Sequence, residues 1–192
     1  MTTMRRSFRP GLERLETRFQ PSVVMPQAIR FNRSAYPSER QSILNGNQGS
    51  YPYLGSNYQV LAPSSGGYNC ISYSLGRRDV WISQQMGPPG APLAWMDHLY
   101  AQYGFHRLPS LANGKLDVAL APGVRKVVLY GTTGPHGVVT DILHAEVQDK
   151  GGTYSCKMGD GPLIRYAPFY AMSGPSDGYP IAVYARNQGK VS

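Results

Sequence analysis

Apolar positions along the chain follow two periods. In residues 91–103 (APLAWMDHLYAQY), Leu93, Met96, Leu99 and Tyr100 recur at spacings of three and four and Gly104 follows, which predicts an amphipathic helix. A shorter helix is predicted over residues 69–76 (NCISYSLG), with Asn69 as its N-cap, Gly76 as its stop and Cys70 in its first turn. Beyond residue 123 the texture changes. Val124–Tyr130 (VRKVVLY), Leu163–Tyr166 and Ile181–Ala185 read as strands, and a short one is predicted around Asn57–Leu61. Leu143–Gln148 (LHAEVQ) and Thr153–Met158 (TYSCKM) flank Asp149-Lys150-Gly151-Gly152, which predicts a β-hairpin. A helix carrying a cysteine, a second helix and an antiparallel run of strands make an α+β fold.

The first 47 residues lack this organisation, and residues 20–66 are rich in Pro, Gly, Ser, Asn and Gln. They divide the chain into a basic tail or linker over 1–47, expected to be disordered, and a folded domain over 48–192. Within the tail, Leu12, Leu15 and Phe19 have the spacing of a short amphipathic helix, without the continuous apolar stretch of a secretory signal. The net charge of +8 belongs largely to this tail, which holds eight of the 19 Lys and Arg residues and three of the 11 acidic ones. A nucleic-acid-binding role is therefore not expected of the folded domain. The longest apolar run is far short of a membrane span.

Two cysteines, Cys70 and Cys156, are too few for a disulfide scaffold or a four-thiolate zinc site, and neither has a partner at metal-ligand spacing. No metal and no organic cofactor is expected. A single Cys70–Cys156 bridge is one alternative. Of the four histidines, His98 lies on the predicted helix, His106 in the turn after it and His136 in a Gly-Pro-His-Gly loop. His144 alone falls on a predicted strand beside a hairpin. Cys70 and His144 are the pair with chemical content: a thiol at a helix start favours thiolate, and an imidazole from a remote strand can hold the proton. A buried structural cysteine with an unrelated histidine is the other reading.

If the hairpin turns at Asp149–Gly152, Ser155 falls opposite Glu146 and Lys157 opposite His144, with Cys156 pointing away from that face. Ser155 and Glu146 are then the candidates for orienting the imidazole, with Asp160 just past the strand. Asn69 and Lys157 are expected as supports of the oxyanion site. The glycine-rich segments 131–134 and 158–162 read as tight turns, and Trp81 and Trp95 as core or groove-wall residues.

Taken together, Asn69-Cys70 with Ser74-Leu75-Gly76, Trp81, His144-Ala145, Ser155-x-Lys157-x-Gly159 and Leu163-Ile164-Arg165 resemble an uncharacterised bacterial family related to papain-like cysteine peptidases and amidases. The NlpC-like and CHAP enzymes are its better-known kin. The resemblance spans about Gly66–Tyr184. It implies a papain-like fold, Cys70 as nucleophile, His144 as base, and hydrolysis of an amide or peptide bond in a peptide or protein substrate. The departure is the third catalytic residue, for which no Asn, Asp or His stands in the family's place. An inactive papain-like binding module is the alternative. The segment Arg9-Pro10-x-Leu12-Glu13-x-Leu15-Glu16-x-Arg18-x-x-Pro21-Ser22 resembles an N-terminal sorting element of bacterial cell-surface proteins. That implies an exported or cell-surface location, the cytoplasm being the alternative.

Overall fold

A computed structural model describes Phe31 and residues 36–46, 49–83 and 90–188. The Leu12–Phe19 helix and the sorting-like segment lie outside the described residues. The fold is α+β. In chain order come α1 (Pro37–Gly46), β1 (Tyr58–Ala62), α2 (Cys70–Ser74), α3 (Pro92–Ala101), β2 (His106–Arg107), β3 (Val124–Thr133), β4 (Val139–Gln148), β5 (Tyr154–Lys157), β6 (Leu163–Tyr166) and β7 (Tyr179–Asn187). The strands form one antiparallel sheet in the order β1-β6-β5-β4-β3-β7-β2.

Strand alternation divides the core in two. Val127, Leu129, Ala145, Val147, Ala182 and Tyr184 face α2 and α3, against Cys70, Ile71, Leu75, Met96, Leu99 and Tyr100. Val128, Tyr130, Tyr154, Cys156, Ile164, Tyr166 and Val183 face the other way, against Tyr58, Ala171 and Met172. Each fully buried aliphatic side chain contributes roughly 1.5–3 kcal/mol, so these two layers carry the fold.

Most predicted elements form close to their expected bounds, since their apolar periods match the sheet and helix faces that bury them. Asn69 caps α2: its Oδ1 accepts the Ser72 amide at 3.1 Å. Gly76, at φ 85°, ends the helix. In α3, Pro92 occupies the first turn, where its missing N–H costs no helical bond, and Met96, Leu99 and Tyr100 are buried.

The tail expectation fails at residues 37–46, which form α1. One buried side chain, Ile43, gives no periodic signal. Long-range contacts fix the helix instead. Arg40 Nη2 donates to the Ser56 carbonyl at 2.7 Å, the Tyr58 hydroxyl donates to the Arg40 carbonyl at 2.9 Å, and the Glu39 carboxylate accepts from Ser64 N and Oγ at 3.1 and 2.9 Å. The ordered domain therefore starts before residue 48. Gly131 is no turn residue either. It lies within β3, where a Cβ would stand 2.0 Å from the Asp141 carbonyl oxygen.

Candidate active site

The hairpin register differs by one position from that expected. Val147 pairs with Ser155 and Gln148 with Tyr154, because the connection runs over five residues, Asp149–Thr153, and not over the four of Asp149–Gly152. Every side chain of β5 is thereby moved to the opposite face. Cys156, not Ser155, shares the face of Glu146 and His144, and Ser155 lies on the side of α2. There its Oγ bonds the Tyr73 hydroxyl at 2.9 Å and donates to Asp149 Oδ1 at 3.0 Å. Ser155 is thus a tether between α2 and β5 and does not orient His144.

The β4–β5 ladder ends after those two pairs. β5 stays paired with β6 as far as Lys157, and β4 with β3 as far as Val139. The sheet therefore splits beside His144, with Cys156 and Lys157 on the other flank of the split. A bulge at Leu143, between the pairs Tyr130↔His144 and Gly131↔Ile142, keeps His144 on the Tyr130 side. The two rings meet edge to face at 5.7 Å.

His144 is buried; its Nδ1 stands 3.4 Å from Asp177 Oδ2, an ion pair without hydrogen-bond geometry, and the imidazole is hydrogen-bonded to the Cys156 thiol. Its Nε2 has no hydrogen-bond partner among the described residues. Burial on its own would lower the imidazole pKa. The negative charge available at Asp177, Cys156 and Cys70 overrides it and holds the group well above its ordinary value. Burial lifts the Asp177 carboxyl, while His144 pulls it back. Both sulfurs thus act on one imidazole, although Cys70 packs in the core on the helix side of the sheet and Cys156 in the core on the other. No disulfide joins Cys70 and Cys156, so the bridge alternative does not occur. Burial pushes the Cys156 thiol up.

Asp177 is the residue that sequence reasoning missed. It sits in Ser173-Gly174-Pro175-Ser176-Asp177-Gly178, far from the hairpin in sequence. Gly174 and Gly178 exchange backbone hydrogen bonds at 2.9 and 2.8 Å and close this loop. Gly178 has φ +73°, and a Cβ there would lie 2.2 Å from the Gly131 carbonyl oxygen. The loop is seated directly on β3, one pair from His144. Gly178→Ala should therefore cost roughly 2–4 kcal/mol, from a backbone clash plus a left-handed φ. Urea unfolding would measure that loss, and a change under 0.5 kcal/mol would contradict the close approach.

Glu146 does not orient the imidazole either. Its Oε2 accepts from the Tyr130 and Tyr166 hydroxyls at 2.8 and 2.6 Å, while Oε1 has no hydrogen-bond partner among the described residues. Burial pushes its pKa up to about 8, against the two tyrosine bonds and the nearby His144 charge. A carboxyl whose folded pKa is raised gives stability that is full below its unfolded pKa and lost as pH rises through the folded one. Glu146 accordingly costs the fold stability between about pH 4.5 and about pH 8. Glu146→Gln, which keeps an acceptor for both tyrosines, should flatten this part of the Tm-against-pH curve. A curve parallel to that of the wild type would contradict the assignment.

Neither expected oxyanion support has a donor free for that role. Asn69 Oδ1 accepts from Ser72 N and Oγ, and Asn69 Nδ2 donates to the Ile82 carbonyl at 2.6 Å. Lys157 Nζ makes three bonds to carbonyl oxygens. Asp160 stands outside the group, in the β5–β6 turn, its carbonyl accepting from Ser65 N. His98, His106 and His136 are exposed and apart from the site, and Trp81 is largely exposed where a core or groove wall was expected. Trp95 packs partly buried against the core. A surface pocket of about 360 Å³ lined by Arg107, Leu108, Leu116 and Ile181 contains none of the site residues. Among the described residues no group of three or more His, Cys, Asp or Glu side chains is arranged to hold a metal, and no helix is long and apolar enough to cross a membrane.

No curated protein and no solved structure matches the chain. The model of one protein family does, over residues 59–185, a span that includes Cys70, His144, Cys156 and Asp177. The chain belongs to that family, DUF7689, described as a domain of unknown function.

Proposed function

We propose that the protein is a cysteine hydrolase of papain-like type that cleaves an amide or peptide bond, with Cys70 as nucleophile, His144 as base and acid, and Asp177 as the group that orients His144. The observation that carries this reading is the state of His144: buried, at ion-pair distance from a carboxylate through Nδ1, unpartnered at Nε2 among the described residues, hydrogen-bonded to the Cys156 thiol and within the field of Cys70. That is the polarity a general base needs. Tightening of the 3.4 Å separation to a hydrogen bond, as substrate excludes water, would fix the tautomer that leaves Nε2 for the thiol.

In the first step the Cys70 thiolate forms a C–S bond to the substrate carbonyl. The C–N bond then breaks, and the departing amine takes the proton held by His144. In the second step water gives a proton to His144 and attacks the thioester, releasing the acid and returning the thiol. Cys70 is the better nucleophile of the two sulfurs. Cys156 sits mid-strand in the core, fully buried, with its pKa raised. Cys70 starts a helix behind the 63–68 loop, at 3% exposure.

Incubation with activated acyl esters and a peptide electrophile, followed by peptide mass mapping, tests the reading. A covalent adduct on Cys70 is expected. An adduct on Cys156 alone would reassign the nucleophile, and no adduct on either would overturn hydrolysis. The near-complete burial of both sulfurs favours a second reading, a papain-like module that binds without turnover. That reading is the one an unmodified protein would support.

A further inference from the structure

Lys157 is fully buried, an uncommon setting for a lysine, yet it stands opposite no carboxylate at ion-pair distance among the described residues. Its three N–H donors go to the carbonyls of Ser65, Gly159 and Gly161 at 2.7, 2.7 and 2.5 Å. The ammonium also lies 5.1 Å from the centroid of the Tyr68 ring. Ser65 N donates to the Asp160 carbonyl at 2.8 Å, a second tie between the same two loops. The segment so held, residues 65–68, runs directly into Asn69 and Cys70. Three carbonyl dipoles solvate the ammonium without cancelling its unit charge, so its field persists in a region with little water.

We propose that Lys157 is a positioning residue for Cys70: its caged ammonium fixes the segment leading into the nucleophile and supplies a permanent positive charge, beside that of His144, which favours the thiolate. This inference rests on the hydrolase reading. A neutral thiol next to a single imidazole would ionise less completely; two fixed cations on different elements make the ion pair less dependent on His144 alone. The charged and titratable groups acting on Lys157 are Asp160 in the β5–β6 turn, Cys70 on α2, Cys156 on β5 and Glu39 on α1. Cys70 acts in turn on Tyr100 of α3 and on His144 of β4. Burial lowers the Lys157 pKa, and these neighbours oppose that effect.

The pH profile of Cys70 alkylation by iodoacetamide, in the wild type and in Lys157→Met, tests this. The variant should show a midpoint higher by about one pH unit than the wild type, so that on the acid side of both midpoints its alkylation is roughly tenfold slower. A purely structural lysine would lower Tm and leave the midpoint in place, which would overturn the inference while the hydrolase reading stood. A wild-type midpoint at the ordinary thiol value would overturn both. Because Lys157→Met strands three carbonyls and can fail to fold, a second measurement uses the intact side chain. In protein labelled with ¹⁵N-lysine, the Lys157 ammonium is identified by slow exchange and by contacts to the Tyr68 ring. Its shift should follow the Cys70 titration in the wild type and lose that step in Cys70→Ser. A shift with the same pH course in both proteins would overturn the proposal.

Discussion

His144→Ala is expected to lower acyl transfer to and from Cys70 by at least about 10³-fold while the sheet remains folded, because the substitution removes both the base that makes the thiolate and the acid that protonates the departing amine. The ring packs edge to face on Tyr130, and the apolar side chains that hold α2 and α3 on the sheet, among them Ile71, Met96 and Leu99, are untouched by the substitution. What the variant leaves behind is a cavity beside Tyr130 and a buried Asp177 with no cationic partner. That carboxyl, already lifted by burial, then loses the cation that pulls it back and moves further up. Stability falls by roughly 2–4 kcal/mol, the range for truncating a buried side chain with a partner. Circular dichroism separates this loss from a loss of chemistry. Activity within tenfold of the wild type in a folded His144→Ala would remove histidine from the mechanism.

Asp177→Asn has the second largest expected effect. The amide is isosteric and keeps the Gly174–Gly178 loop closed. It can offer an N–H as well as an oxygen to Nδ1, so the imidazole no longer has a fixed tautomer and Nε2 is no longer reserved for the thiol. The turnover rate is expected to fall by about 10²–10⁴-fold, with KM within a factor of a few. The imidazole pKa should also drop, since Asp177 is the largest of the influences that raise it. The upper limb of the pH–rate profile, set by loss of the imidazolium proton, should therefore move to more acid values. His144→Ala/Asp177→Asn should be no slower than His144→Ala, as expected of groups that act as a unit. Additive losses in the double variant would show that Asp177 serves the fold and not His144.

The sequence made the elements legible where one apolar period dominates. Met96, Leu99 and Tyr100 announced α3, and the β3, β6 and β7 runs announced strands. The start of α2 was legible too, since Asn69 has one low-energy use ahead of a helix and Gly76 has one after it. What stayed hidden depends on distance in the chain. α1 is held by Arg40 and Glu39 through residues 16 to 25 positions away. Glu146 and Ser155 looked like neighbours of the imidazole because a hairpin's register hangs on a single residue of its turn. Cys156, read as pointing away, lands on the His144 side for the same reason. Asp177 carried a weaker signal, an acid between two glycines in a turn, which resembles any loop until Gly178 is seen against the Gly131 backbone.

The central claim, that Cys70 and His144 form a thiolate–imidazolium pair, is tested most directly by the pH dependence of alkylation at each cysteine of the folded wild-type chain. Peptide mass mapping reads Cys70 and Cys156 separately in one sample. Cys70 is expected to react at a pH-independent rate from below neutrality, while Cys156 stays unreactive until the chain unfolds. A Cys70 profile that rises as a single ordinary thiol titration near pH 8.5, or a Cys156 that reacts first, would contradict it.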